Sequence, residues 1–185
     1  AGPIGMTRWR WDAGSWTGGV RTSSRELARF GLLMLNRGNW DGRQLLSAEW
    51  VAQAASVQVP STIPNDGVPR SKGSGTYGYN WWVNGVKPDG ELLWPEAPAG
   101  AYLANGLHTN VCIVVPSWNM VICRTNGPLP DGSNSNPPNV DEVWSTFLGK
   151  LREAIRRRTE VSIQGDAFHI NGRPTYAGRW WRGHK

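Results

Sequence analysis

The stretch Ala101-Tyr-Leu-Ala-Asn-Gly-Leu-His-Thr-Asn-Val-Cys-Ile-Val-Val-Pro116, continued by Ser117-Trp-Asn-Met-Val-Ile-Cys-Arg-Thr125, decides the reading of this chain. Two apolar, β-branched runs flank a short polar break, the pattern of a β-hairpin with a tight turn. A third run, starting at Tyr102, precedes them and ends in the polar step His108-Thr109-Asn110. That step is expected to open the buried strand beyond it. If the hairpin turn centres on Ser117-Trp118, Cys112 faces Cys123 directly across the ladder, with Cβ atoms about 4.5–5.5 Å apart. That spacing leaves two readings open, a disulfide or two small buried residues filling one face.

Working outward, a helix is expected from about Ser24 to Arg37. Ser23 and Glu26 form a capping box, Leu27, Phe30, Gly31, Met34 and Leu35 share one face, and Gly38 supplies a left-handed stop. Asn39-Trp-Asp-Gly42 reads as a turn. Ser47 caps a second helix over about Ala48 to Ala55, with Leu46 and Val51 placed to pack across that cap. Residues 56–75 are rich in Pro, Gly, Ser and Asn and read as loop. Tyr77 to Val83 alternates and is aromatic, which predicts a strand, and Glu91 to Trp94 predicts another short one. After the Pro- and Gly-rich residues 127–138 comes a helix capped by Asn139. Its stripe is Val140, Val143, Trp144, Phe147, Leu148, Leu151 and Ile155. A long amphipathic helix following an antiparallel hairpin is expected to pack on that sheet. Phe168 to Tyr176 reads as a second hairpin around Asn171-Gly172. Such a hairpin is marginal alone, so it either pairs with the main sheet or opens another module.

The fold class is therefore α+β, an antiparallel sheet with packed helices. Residues 1–158 are expected as one domain and 159–185 as a tail hairpin. The net charge of +6 does not describe the body: residues 1–149 carry 11 basic and 11 acidic side chains, and residues 150–185 carry 9 and 3. A nucleic-acid binder concentrates its positive field on the folded body, so nucleic acid is not an expected partner. No run of about eighteen apolar residues exists that would span a membrane. The three His have no metal-ligand spacing to the two Cys, and no cofactor-binding pattern is present. Twelve Trp are present, a residue suited both to cores and to carbohydrate clefts.

Taken in order, four segments resemble the C-terminal half of the β-lactamase-related and penicillin-binding-protein-like serine hydrolases. They are Ser24-Arg-Glu-Leu-Ala-Arg-Phe-Gly-Leu-Leu-Met-Leu-Asn-Arg-Gly38, Gly42-Arg-Gln-Leu-Leu-Ser-Ala-Glu-Trp-Val51, Tyr77-Gly-Tyr-Asn-Trp-Trp82 and Gly106-Leu-His-Thr-Asn-Val-Cys-Ile-Val-Val-Pro116. The resemblance spans roughly residues 3–155. It implies an incomplete β-lactamase or transpeptidase-like fold and a bacterial enzyme that cleaves an amide, ester or lactam through an acyl-enzyme. A Ser is activated by a neighbouring Lys or Tyr, and the oxyanion is held by backbone N–H groups. The chain holds no Ser-x-x-Lys: three positions before Lys72, Lys87, Lys150 and Lys185 stand Pro69, Asn84, Phe147 and Arg182. No catalytic residue of the family is thus expected in this chain, which reads as the back half of an enzyme, inactive alone. The resemblance aligns His108 with the family's third-motif Lys or His and Thr109 with its Thr. Asn110 stands where Gly is usual, which narrows the approach to the backbone. It thereby assigns substrate binding to His108, Thr109, Asn110, Tyr79 and Trp81. A small-molecule or peptidoglycan-like substrate and a periplasmic or secreted setting follow from the same resemblance. The alternative reading is a non-catalytic module that binds carbohydrate or cell-wall glycan on its Trp side chains. The short hairpin at Phe168, similar to one that opens many glycoside-hydrolase-type domains, points the same way.

Overall fold

A computed structural model describes residues 1–12, 19–63, 73–125, 136, 138–156, 161–165, 167–170 and 172–175. The chain divides into two compact units, Ala1–Leu148 and Gly149–Lys185. In the first unit a short 3-10 turn (Gly2–Ile4) precedes a two-stranded ribbon, β1 (Arg10–Asp12) and β2 (Gly19–Arg21), followed by helix α1 (Ser24–Leu35). Strands β3 (Asn39–Trp40) and β4 (Arg43–Gln44) pair about Asp41-Gly42, where both residues have positive φ (50° and 78°). That combination defines the hairpin turn that matches strand twist. Helix α2 (Ala48–Ala54) comes next, then β5 (Trp82–Val83), β6 (Tyr102–Asn105), β7 (Val111–Val115), β8 (Met120–Arg124) and helix α3 (Val140–Arg156). Strands β5 to β8 form one antiparallel sheet in sequential order.

Local chemistry explains the helix starts. Ser23 accepts a hydrogen bond from the Glu26 amide at 3.3 Å, and Ser47 accepts one from the Trp50 amide at 3.1 Å. Gly38, at φ 83°, ends the α1 region, with its amide donating to the Leu33 carbonyl at 2.8 Å. The Cys112–Cys123 register is as the hairpin spacing predicts, and both thiols are free.

Strand β7 is buried on both faces, so it reads as a continuous apolar run. Successive side chains point to opposite sides. Val111, Ile113 and Val115 join Trp94, Leu103, Trp144 and Leu148 in one core. Cys112 and Val114 join Trp81, Tyr102, Met34 and Val51 in the other. Helix α1 lies against β7 and β8, and Gly31 permits that approach. A methyl built on Gly31 would sit 2.5 Å from Val121 Cγ1 and 2.7 Å from Cys112 Sγ. Gly31→Ala gains about 1 kcal/mol of helix propensity but overpacks by about 1–3 kcal/mol. A net loss of stability is expected in urea denaturation, and a variant more stable than wild type would show that the sheet yields freely there.

Glu26 ties the N-terminal arm to α1. Its carboxylate accepts from the amides of Thr7 (2.6 Å) and Arg8 (2.7 Å) and from the Thr22 hydroxyl (3.0 Å). The hydrogen bond from the Arg8 amide leads the effects that hold this carboxyl below its ordinary value of 4.5, and burial opposes it. A depressed carboxylate stabilises the fold above its unfolded pKa and loses that contribution as pH falls through the folded one. Glu26→Gln is therefore expected to be less stable than wild type at neutral pH. The difference should close as pH drops below about 4.5, as followed by thermal melts across pH. Parallel melting curves at every pH would exclude the linkage.

Four expectations change. Tyr77 to Val83 is not one strand: Asn80 has φ 61°, the Gly78 amide donates to the Trp81 carbonyl at 2.8 Å, and Tyr77 bridges Trp82, so the chain reverses and only β5 remains. Glu91 to Trp94 supplies a single bridge, Val86 to Leu92. The α3 stripe is split. Trp144 and Leu148 are buried, while Val143 and Phe147, on the other flank of the stripe, are exposed, because the sheet covers one flank only; Ile155, in the second unit, is also exposed. The third-motif triplet, His108 to Asn110, lies outside β7, as described below. Residues 64–72, most of 126–138 and the 176–185 end lie outside the described residues, as does Asn171. In the second unit the tail hairpin gains a third strand. β9 (Val161–Gln164), β10 (Ala167–Ile170) and β11 (Arg173–Pro174) form their own antiparallel sheet in the order β11-β10-β9.

Candidate functional site

The residues from Gly106 to Asn110 make the β6–β7 connection, closed by the pairing of Asn105 with Val111. Leu107–Thr109 form a short 3-10 turn, in which His108 (φ 59°, ψ 27°) and Thr109 (φ 57°) are both left-handed. His108, Thr109 and Asn110 therefore do not open the strand, as the sequence suggested; they precede it as a tight turn. The physical reason is that five residues must reverse the chain between paired Asn105 and Val111, which extended backbone cannot do. Left-handed backbone costs a residue with Cβ roughly 1–2 kcal/mol, and a β-branched residue such as Thr109 is an outlier there. Such strain persists only where surrounding contacts enforce it.

Those contacts are present. The Thr109 amide donates to Asn136 Oδ1 at 2.7 Å, and Asn136 Nδ2 donates to the Gly106 carbonyl at 3.1 Å. Arg124, at the end of β8, donates through Nη1 to the carbonyls of His108 (3.1 Å) and Thr109 (3.0 Å) and also to Thr109 Oγ1. The Gly106 amide donates to the Asn110 carbonyl at 2.7 Å. Beside Arg124, the Thr125 hydroxyl meets Ser24 Oγ at 2.5 Å, which fixes the start of α1 to the same end of the sheet. Asn105 Oδ1 is buried there and has no hydrogen-bond partner among the described residues. Sequence reading missed Arg124, Asn136 and Asn105. Only the cross-strand position of Arg124 opposite Val111 could have flagged any of them.

The other two sequence candidates part company. The pairing of Trp82 with Leu103 and Val83 with Tyr102 puts the Tyr79 reversal at the end of the sheet that carries the His108 turn, and Tyr79 is 47% exposed. Trp81 is 4% exposed and is core: its ring stacks on Phe30 at 5.9 Å and meets Tyr102 edge-on at 5.0 Å. It therefore has little surface to offer a ligand. The same burial removes Trp81 from any carbohydrate platform; among the described residues the exposed tryptophans are Trp9, Trp11 and Trp50. An apolar cavity of about 600 Å³ lies between the β1–β2 ribbon and α1, lined among others by Trp9, Trp11, Val20 and Phe30. It contains none of His108, Thr109, Asn110, Tyr79 or Trp81. Among the described residues no group of three or more His, Cys, Asp or Glu could hold a metal ion, and no helix is long and apolar enough to cross a membrane.

No family model matches the chain. An uncharacterised protein of Alkalihalophilus pseudofirmus is 29% identical over 114 residues, covering 60% of this chain and 32% of that protein. The 6-aminohexanoate-dimer hydrolase of Paenarthrobacter ureafaciens is 29% identical over 85 residues, 42% of this chain and 22% of the enzyme. Among solved structures, a candidate 6-aminohexanoate-dimer hydrolase from Bacillus anthracis superposes with a TM-score of 0.51 at 19% identity, covering 77% of this chain and 31% of that one. A candidate β-lactamase from Bacteroides dorei gives a TM-score of 0.51 at 21% identity, covering 81% and 49%. The chain spans about a third or less of the curated relatives it matches, and it shares its fold with part of these hydrolase and β-lactamase-like structures.

Proposed function

We propose that this chain is part of a β-lactamase-related serine hydrolase, in which the His108–Asn110 turn forms one wall of the substrate cleft. The clamped left-handed pair His108-Thr109 carries this reading. Two strained non-glycine residues in succession, held by Arg124 and Asn136, are the kind of backbone that functional sites retain. The partial superposition on hydrolase and β-lactamase-like structures supports it. The reaction is acyl transfer on an amide, ester or lactam. A Ser outside this chain attacks the carbonyl, an acyl-enzyme forms, and water releases the acid. His108 contacts a polar group of the substrate, with Tyr79 at the same end of the sheet. The Thr109 amide is already engaged by Asn136, so it is not an oxyanion donor in this arrangement. Relatives named as 6-aminohexanoate-dimer hydrolases favour a small-molecule substrate over a polymeric glycan peptide.

The test is labelling by a fluorophosphonate probe. The longer natural polypeptide is expected to label on a Ser within Ser-x-x-Lys, and the 185-residue chain alone is expected to stay unlabelled. A longer polypeptide that folds yet never reacts with fluorophosphonate or penicillin probes would remove the hydrolase reading.

A further inference from the structure

We propose that Cys112 and Cys123 form a redox-active dithiol that closes to an intramolecular disulfide on reaction with a small disulfide of the glutathione class. The two residues are direct cross-strand partners in the β7–β8 ladder, and both are free thiols. Directly opposed residues in an antiparallel pair have Cα atoms about 4.5–5.5 Å apart, inside the range a disulfide spans of about 4.4–6.8 Å. Closure therefore needs no rearrangement of register. Cys112 is buried beneath α1, its Sγ 3.9 Å from the Leu27 carbonyl and hard against Gly31. Cys123 is half-buried on the outermost strand, so it is the thiol that a solute reaches.

The pair is also chemically asymmetric. The neighbouring thiol and burial push the Cys112 thiol up, and the same neighbour holds the Cys123 thiol down. Cys123 is thus the attacking thiolate and Cys112 the resolving thiol. Cys123 Sγ attacks one sulfur of the small disulfide and expels one thiolate, giving a mixed disulfide. Cys112 then attacks Cys123 Sγ. The second small thiol leaves, and the Cys112 proton passes to solvent or to a departing thiolate. The protein dithiol loses two electrons and two protons, and the small disulfide gains them as two thiols.

The position gives closure a consequence. Cβ atoms about 3.8 Å apart in a disulfide are closer than in an open cross-strand pair, so closure draws β7 and β8 together. The next pair along the ladder is Val111 with Arg124, and Arg124 clamps the His108 turn. Oxidation is expected to tighten that clamp. The dithiol proposal stands on the ladder geometry and does not depend on the hydrolase reading.

The experiment equilibrates the 185-residue chain in glutathione buffers of graded oxidation, blocks free thiols under denaturing conditions and measures intact mass. The expected product is a monomer lighter by two hydrogens with neither thiol alkylated. It should be half-formed within the glutathione range, revert fully with dithiothreitol, and slow the exchange of the Thr109 amide. Cys123→Ser is expected to show no oxidised species. Any of four results overturns the proposal: two alkylatable thiols under fully oxidising buffer, a persistent glutathione adduct on Cys123, disulfide-linked dimers, or a bond that survives the most reducing buffer. All four are read on the wild-type chain, so a poorly folding variant does not blunt the test.

Discussion

Trp94→Ala is expected to lower the unfolding free energy by about 3–5 kcal/mol, enough to consume much of the roughly 5–15 kcal/mol available to a typical domain. Trp94 is fully buried between the sheet and α3, against Leu103, Ile113, Val115, Trp144 and Leu148. Its backbone amide donates to Asn84 Oδ1 at 2.8 Å, and Asn84 Nδ2 returns a bond to the Trp94 carbonyl at 3.1 Å. Its indole Nε1 donates to Asp141 Oδ1 at 3.2 Å, which ties the 86–101 loop region to the first turn of α3. Truncation empties the ring volume and leaves Asp141 without that donor. Trp94→Phe separates the two contributions. It keeps most of the packing and loses one hydrogen bond, so a cost nearer 1–2 kcal/mol is expected. Chemical denaturation of both variants measures the ratio, and a Trp94→Ala loss within about 1 kcal/mol of wild type would show that this core relaxes around the cavity.

If the proposed hydrolase reading holds, His108→Ala, made in a polypeptide that supplies the Ser-x-x-Lys nucleophile, is expected to cut kcat/KM about ten- to a hundred-fold. That range corresponds to one hydrogen bond with a charged partner, about 1.5–3 kcal/mol. If His108 binds a polar substrate group equally in ground and transition states, the loss falls on KM; a loss confined to kcat would assign it to the transition state. Arg124→Ala separates contact from positioning. It keeps the His108 side chain but removes the cation that holds the His108 and Thr109 carbonyls, so the imidazole is no longer held in position. Its effect on kcat/KM should approach that of His108→Ala, and combining the two should add little, because both act through one turn. Full activity in both single variants would place the substrate cleft elsewhere.

Much of the fold was legible because it is written in neighbouring residues. Ser23 with Glu26, Ser47 before Trp50, Gly38 after α1 and Asp41-Gly42 between β3 and β4 each satisfy or reverse the backbone within a few positions. The β7–β8 register, and with it the Cys112–Cys123 pair, followed from a turn a few residues away. The candidate site was legible only as a location. His108, Thr109 and Asn110 were visible as a polar break between apolar runs, while their left-handed backbone depends on Arg124 and Asn136, 15 and 27 residues from Thr109.

Trp81 shows the limit most plainly. Its aromatic neighbours Tyr79 and Trp82 suggest a single alternating strand, but Asn80 reverses the chain and Phe30 and Tyr102 arrive from distant elements to enclose the ring. The split of the α3 stripe has the same origin, since the sheet covers Trp144 and Leu148 and leaves Val143 and Phe147 to solvent. The caps at Ser23 and Ser47, the Asp41-Gly42 turn and the β7–β8 register are short-range and were determined by the sequence alone. Burial and backbone strain depend on which surfaces meet, and only the tertiary structure decided those.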